Sequence, residues 1–485
     1  MIRRLFTSAI AIGVATFALP PATQIGRTPF DDAKPILEAM AEIIPAELRD
    51  AAAEHRQETW DTWATKRDAE IRDRLAQGDA DSVINFLLFG TSFTAAPRLT
   101  SEQLRSIPAA TADDVKQQTE AAWQTLFEKR VQDLVRGTMT PGANERLRFA
   151  RATLQRAGVD FSGAEAKQKA STYLYENVKR VIHEQSSFQQ ALQAAKSLNN
   201  PVEEFAERSK LYKERGLSLD TSLPPEYALE AALTEMKRRG LLKAEGVQRV
   251  GIIGPGLDFT DKQEGFDFYP TQTVQPFAVT DSLLRLQLAK PDVVEADVLD
   301  LSPRVLKHVE RARRLAMQGR GYTIQLPRNP AGGWKTELQA YWERFGEQIG
   351  SATAPAAVPP ALKGISLRAV TVRPALVRRI KTFDVDIILQ RANLPEDEKF
   401  DLLIATNILV YYGTFEQSLA MTNIAAMLKP GGFLLTNNAL LELPSSEMHS
   451  VGYKTVVYSD RADDGDHIVW YQRKGKAVEP GNTRQ

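Results

Sequence analysis

The sequence predicts an α/β protein in which an all-α region precedes a doubly wound, mostly parallel sheet with an antiparallel edge strand. Two observations carry this. From about residue 30 to 245, apolar residues recur at three- and four-residue intervals between charges, the period of amphipathic helices. From Arg249 onward, short β-branched runs alternate with helical ones, which implies crossover units and a sheet covered on both faces. At 485 residues the chain is too long for one ordinary domain. The boundaries read as 1–24 for an N-terminal signal or anchor, 30–240 for the helical domain, 241–474 for the sheet domain and 475–485 for a polar tail.

In chain order, "MIRR" supplies positive charge, and Leu5 to Leu19 is an apolar core too short for a comfortable membrane span. Ala18 or Ala22 offers a small residue before a cleavage point, and Arg3 to Phe6 resembles the core of a twin-arginine signal. The expectation is a periplasmic or secreted protein if the segment is cleaved, and a membrane-anchored one otherwise. No later stretch is long and apolar enough to span a bilayer. Gly, Pro and Asp-Ser clusters such as "TMTPGAN" and "SLDTSLPP" punctuate the helical part, which shows no fixed-period repeat.

In the second half the strand candidates are "RVGIIG", "VVEADVLDL", "ISLRAVTV", "FDVDIIL", "FDLLIATNILVYY" and "GGFLLTNNAL". A final pair, "YKTVVYS" and "DHIVWYQRK", forms a hairpin at the sheet's far edge. Basic and acidic side chains balance at 61 each, which argues against a protein built around nucleic acid. No cysteine is present, so thiol catalysis, disulfides and thiolate metal sites are excluded. The five histidines show no metal-ligand spacing and no triad, and no G-x-S-x-G elbow or Walker loop occurs.

Ligands of open α/β sheets bind beyond the carboxyl ends of the strands, so strand-end residues are the candidates. The first strand ends in Gly254-Pro255-Gly256, where glycine permits close backbone approach, and Asp258 adds a carboxylate. Asp300 ends the next strand and suits the two hydroxyls of a ribose; equally, it belongs to the cap of the helix that Ser302 and Pro303 begin. Thr406 and Asn407 end a buried strand, and Tyr411 and Tyr412 either line a pocket or pack beneath a helix.

The order of these pieces resembles the class I S-adenosylmethionine-dependent methyltransferases, over the half from about Leu241 to Lys474. The resemblance lies in "VGIIGPG", "VLDLSPRVLKHVERA", "FDLLIATNILVYY" and "LKPGGFLLTNN". "NILVYY" with "LKPGGFLL" is similar to the chemotaxis-receptor glutamate methyltransferases. What the resemblance implies is a Rossmann-like sheet, S-adenosyl-L-methionine as cofactor, and in-line methyl transfer to a small-molecule or protein acceptor. It places Gly254, Gly256 and Asp258 against the amino-acid part of the cofactor and Asp300 with Leu301 at the ribose. Asp386, or else Asp384, falls at the adenine, and Asn407 and Ile408 fall beside the sulfonium.

Two insertions depart from that pattern. Asp258 to Phe277 lengthens the glycine loop, so that roughly twice the usual spacing separates it from Asp300; its Phe266, Phe268 and Tyr269 either form a lid or acceptor wall or simply pack the loop. Tyr322 to Gly364 follows the ribose strand and contains Trp334, Tyr341 and Trp342. Should the acceptor need to lose a proton, Asp258, Glu264, Asp267 and Tyr411 are candidate bases. An exported, non-catalytic binding protein on the same sheet is the competing expectation, and a nicotinamide-dependent dehydrogenase a third that the final hairpin and "LKPGG" fit poorly.

Overall fold

The computed structural model describes residues 24–99, 113–197, 216–217, 220–260, 266–362, 364–437, 439–461 and 464–475. Residues 1–23, Glu264 and the tail beyond residue 475 therefore lie outside the described residues. The first half contains β1 (Ile25–Arg27), α1 (Phe30–Ala39), α2 (Ala46–Arg49), α3 (Arg56–Phe89), α4 (Asp113–Met139), α5 (Glu145–Arg156), α6 (Ala166–Ser197) and α7 (Pro224–Arg238). Next come β2 (Arg249–Ile253), α8 (Gln275–Arg285), β3 (Glu295–Asp300), α9 (Pro303–Met317), β4 (Tyr322–Arg328), α10 (Thr336–Arg344), β5 (Gly350–Thr353) and β6 (Ser366–Val372). The chain closes with α11 (Pro374–Arg379), β7 (Thr382–Asp384), β8 (Gln390–Ala392), β9 (Phe400–Ala405), α12 (Thr414–Met427), β10 (Leu428–Thr436), β11 (Met448–Val457) and β12 (Gly465–Arg473).

The main sheet has seven strands in the order β11-β12-β10-β9-β2-β3-β7. Strands β7, β3, β2, β9 and β10 run parallel, and β12 is antiparallel to both β10 and β11. It is a Rossmann-like, doubly wound sheet. After β2 the chain works outward through β3 and β7, then returns to β9 on the other side of β2. That reversal opens a crevice at the carboxyl ends of β2 and β9. Strand β6 stays out of this sheet: just past the second insertion, it makes a three-stranded antiparallel sheet with that insertion's β4 and β5. Pairing with β4 and β5 holds it there, and Ile324 and Leu326 of β4 and Val370 and Val372 of β6 turn inward onto Tyr341, Trp342 and Phe345.

Among the described residues three large apolar cores result, beside a small cluster of Phe266, Tyr269 and Leu362. One face of the main sheet packs on α7, α8 and α9 through residues such as Leu229, Leu233, Phe277 and Val305. The opposite face packs on α1, α12 and the first half of α3. Trp60, Trp63 and Ile71 belong to that layer, whereas Val83, Ile84, Phe86 and Leu87 of the same helix belong to a third core with α4, α5 and α6. A 34-residue helix is roughly 50 Å long, which is how α3 serves both. The chain's start is also tied to the sheet half, since β1 pairs antiparallel with β8.

Candidate functional site

At the reversal of strand order lies a cleft of about 110 Å³. Its floor is built from strand ends. Every residue of β2 is buried, and beyond it Gly254 (φ 64°) and Gly256 (φ 67°) take left-handed conformations that favour glycine. A Cβ on Gly254 would lie 2.3 Å from Ile408 Cδ1, so the residue after Asn407 packs directly on the glycine loop. Gly254→Ala is accordingly expected to destabilise by about 1–2 kcal/mol and to push Ile408 into the cleft, read as a lowered thermal midpoint and weakened ligand binding.

Asp300 stands at the end of β3 with its carboxyl divided between two tasks. Oδ1 accepts the Ser302 amide at 2.7 Å, the local turn that begins α9. Oδ2 is buried and has no hydrogen-bond partner among the described residues. Burial, reinforced by Asp384 nearby, raises its pKa to about 7. Ser302 itself caps α9 by position only, since its side chain makes no capping bond. Asn407 turns the chain after β9 with φ 58°, and Asn437 Oδ1 accepts its backbone N–H at 2.9 Å.

The opposite wall comes from the helical half. Glu226, in the first turn of α7, accepts from Gln275 Nε2 at 3.1 Å through Oε1, and the same Nε2 lies 2.8 Å from Thr406 Oγ1. Glu226 Oε2 is buried without a partner, and burial raises the carboxyl to about 8. Leu75 of α3 and Leu217 add apolar surface. They arrive there because Gly78 and Gly216 let two backbones touch: a Cβ on Gly78 would lie 1.9 Å from Leu217 O. Arg74, one residue before Leu75, donates to Tyr411 O at 3.2 Å and lies over the Tyr412 ring, so α3 also positions the tyrosine pair.

The cleft thus brings together Gly254, Gly256, Asp300, Leu301, Asn407, Ile408 and Tyr411. Asp258, Asp386, Phe268 and Tyr269 do not line it. Asp258 turns away after the second glycine; its Oδ2 accepts from Tyr269 Oη and Gln272 Nε2, each at 2.9 Å. Val385 and Ile387 line the cleft, but Asp386 between them lies against Asp68 of α3 and accepts the Ile388 amide. Asp384 faces outward and pairs with Arg72 at 2.8 Å. Phe268 packs between Phe266 and Tyr269. Asp267, a candidate base, is spent on the 91–92 turn, where it accepts Thr91 N, Thr91 Oγ1 and Ser92 N.

Sequence reasoning missed Glu226, Gln275, Leu75, Leu217 and Asp220. An acid in the first turn of a helix suits the helix dipole anywhere, so Glu226 carried no distinguishing mark. A glycine inside α3 was the available signal, because it weakens a helix unless close packing requires it.

No protein-family model matches the chain, and no curated protein matches it. Among solved structures it is similar to the mitomycin 7-O-methyltransferase MmcR (12% identity, 87% of this chain and 100% of that one, TM-score 0.28). Human N-acetylserotonin methyltransferase in complex with SAM is similar at 12% identity, over 76% of this chain and 99% of that one, with TM-score 0.25. The glycopeptide N-methyltransferase MtfA complexed with S-adenosyl-L-methionine is similar at 12% identity, over 50% of this chain and 66% of that one, with TM-score 0.18. The chain therefore spans just under two thirds of MtfA's length. Superpositions this loose carry no argument about ligand or activity, and the chemistry of the cleft rests on its own residues.

Proposed function

We propose that the chain binds S-adenosylmethionine in the strand-end cleft and transfers its methyl group to a small-molecule or protein acceptor. The observation that carries this is Asp300 Oδ2, a buried carboxylate oxygen without a partner, at the strand end beside a left-handed glycine loop. The donor set fits. Asp220, Glu226 and Asp300 line the cleft, and among the described residues no Lys or Arg does; Arg304, the cation that acts on Asp300 and Asp220, is not among the lining residues. A ligand with a ribose diol and positive charge suits such a lining, whereas the phosphates of a dinucleotide or a nucleoside triphosphate would meet three carboxylates first.

When bound, the cofactor supplies an electrophilic methyl group on a positively charged sulfur. The protein's part is alignment, since in-line displacement depends on orientation more than on proton transfer. Gly254 and Gly256 admit the ligand close to backbone, and Asp300 accepts from the diol. Leu75, Leu217, Leu301, Val385 and Ile387 exclude water. Gln275 holds Glu226 against Thr406, on the side from which an acceptor reaches the ends of β2 and β9.

Because Asp300 titrates near 7, its ionised form is scarce at pH 6 and dominant above pH 8. Cofactor affinity is expected to rise about tenfold from pH 6 to pH 8. Calorimetry on the purified full chain with S-adenosylmethionine, its demethylated product and NAD checks both points. Binding of the first two and not of NAD is expected. A folded protein that binds neither sulfur compound overturns the reading. Transfer of labelled methyl into cell-envelope extract separates an enzyme from a non-catalytic binding protein, the alternative that the signal-like N-terminal sequence motivates.

A further inference from the structure

Beside the cleft, and sharing Thr221 and Ser222 with it, lies a second cavity of about 30 Å³. The two insertions meet to build it. Asp258, Phe266, Gln272 and Val274 come from the first; Gln325, Leu326, Pro327 and Trp334 come from the second. Its walls are apolar and aromatic apart from a carboxyl, two amides and the hydroxyl-bearing Thr221 and Ser222. Both amides are occupied: Gln272 Nε2 donates to Gln325 O and its Oε1 accepts Gln325 N, both at 2.8 Å, and Gln325 Oε1 accepts Ala356 N at 3.0 Å.

The carboxyl is only half employed. Asp258 is 5% exposed, its Oδ2 is held by Tyr269 and Gln272, and its Oδ1 is buried with no hydrogen-bond partner among the described residues. Among the described residues no Lys or Arg lines the cavity. Arg146 of α5 is the cation near Asp258, but its guanidinium is committed to the carbonyls of Phe259 and Tyr269. Asp220 on the cleft side adds negative charge, and Tyr322 adds none below its high pKa. A carboxylate placed this way feels the charge of Arg146 but receives no hydrogen bond from it. About two waters, or one small polar head group, fill the space.

We propose that this chamber is the head-group subsite of the methyl acceptor, and that it takes an organic ammonium whose N–H groups reach Asp258 Oδ1 between Phe266 and Trp334. Calling the ligand the acceptor rests on the methyltransferase reading above; the ammonium site itself does not. Aromatic walls favour a cation over a neutral head group, and a buried carboxylate discriminates far more strongly than apolar contact does. Asp258 titrates near 6, raised mainly by burial and opposed by Arg146, so the site is charged at neutral pH. The two insertions would then have a common purpose, walling in an amine next to the methyl donor's cleft.

Ligand-observed NMR titrations of the full chain with benzylamine and benzyl alcohol, with and without demethylated cofactor, test the proposal. At pH 7.5 the ammonium is expected to bind at least tenfold more tightly than the alcohol, and to lose that preference below pH 6. Asp258→Asn should abolish the preference, while Asp300→Asn should lose the cofactor product and keep the amine. Ser222→Phe leaves Asp258 in place and should also abolish binding by setting a large ring at a residue that lines the chamber, which keeps the test open if Asp258→Asn does not fold. Equal binding of alcohol and amine, or full amine binding in both variants, overturns the proposal. Amine binding by a protein that ignores the cofactor product would overturn the methyltransferase reading instead.

Discussion

Asp300→Asn is expected to give a protein that is more stable than wild type at pH 8 and unable to hold the cofactor. Holding a carboxyl near 7 rather than at its ordinary 3.8 costs the ionised, ligand-free fold on the order of 4 kcal/mol above pH 7. The sign follows from the direction. A raised carboxyl contributes stability that is complete below about pH 4 and is lost as pH rises through 7. Asparagine keeps an oxygen for the Ser302 amide and carries no charge, so the variant escapes that loss. Thermal midpoints should therefore diverge between pH 5 and 8 and converge at pH 4.

Binding moves the other way. A hydrogen bond to a charged group is worth about 1.5–3 kcal/mol, and a carboxylate accepting both ribose hydroxyls makes two. Their loss predicts at least a hundredfold weaker cofactor binding by calorimetry. If the variant is no more stable at pH 8, Asp300 carries no buried charge. If it binds as well as wild type, the diol lies elsewhere.

How the site could be read from sequence depends on which residues have to obey local rules. Gly254, Gly256, Asp300 and Asn407 each end a strand and turn the chain, two of them as left-handed glycines and one as a left-handed asparagine, so their positions are marked by residue type. The main sheet was legible for the same reason, since each strand is a short apolar run between such marks. Asp258 and Asp386 show where that logic stops. Each follows a legible feature by one or two residues, and which way a side chain faces there depends on partners from the helical half, Arg146 and Asp68. Glu226 and Leu217 were illegible because nothing local connects them to the crevice. They reach it through packing of α3 and α7 on the sheet, a property of the whole chain. The strand "ISLRAVTV" is a further case, for its alternation is that of any strand and only pairing with β4 and β5 assigns it to the smaller sheet.

Gly78→Ala tests that long-range link, and two effects oppose each other. Alanine inside a helix is favoured over glycine by about 1 kcal/mol, so helix propensity alone predicts a gain. Against it, the new methyl would sit 1.9 Å from Leu217 O and 2.6 Å from Leu217 C, backbone atoms that cannot swing aside as a side chain would. Displacing them breaks the Leu217 N to Arg74 O hydrogen bond and lifts Leu217, 7% exposed, from its place in the core. Overpacking costs about 1–3 kcal/mol and lost burial of a leucine about 1.5–3 kcal/mol, so the clash wins. Net destabilisation of about 2–4 kcal/mol is expected in denaturant titration. Leu217 and Asp220 both line the cleft, so cofactor affinity measured well below the melting temperature should fall by about tenfold or more, while Asp300 and the glycine loop are untouched. A variant that loses stability but keeps full affinity would show that the helical half supports the fold without shaping the cleft. A variant that gains stability would show that the α3 crossing is looser than the contact between Gly78 and Leu217 requires.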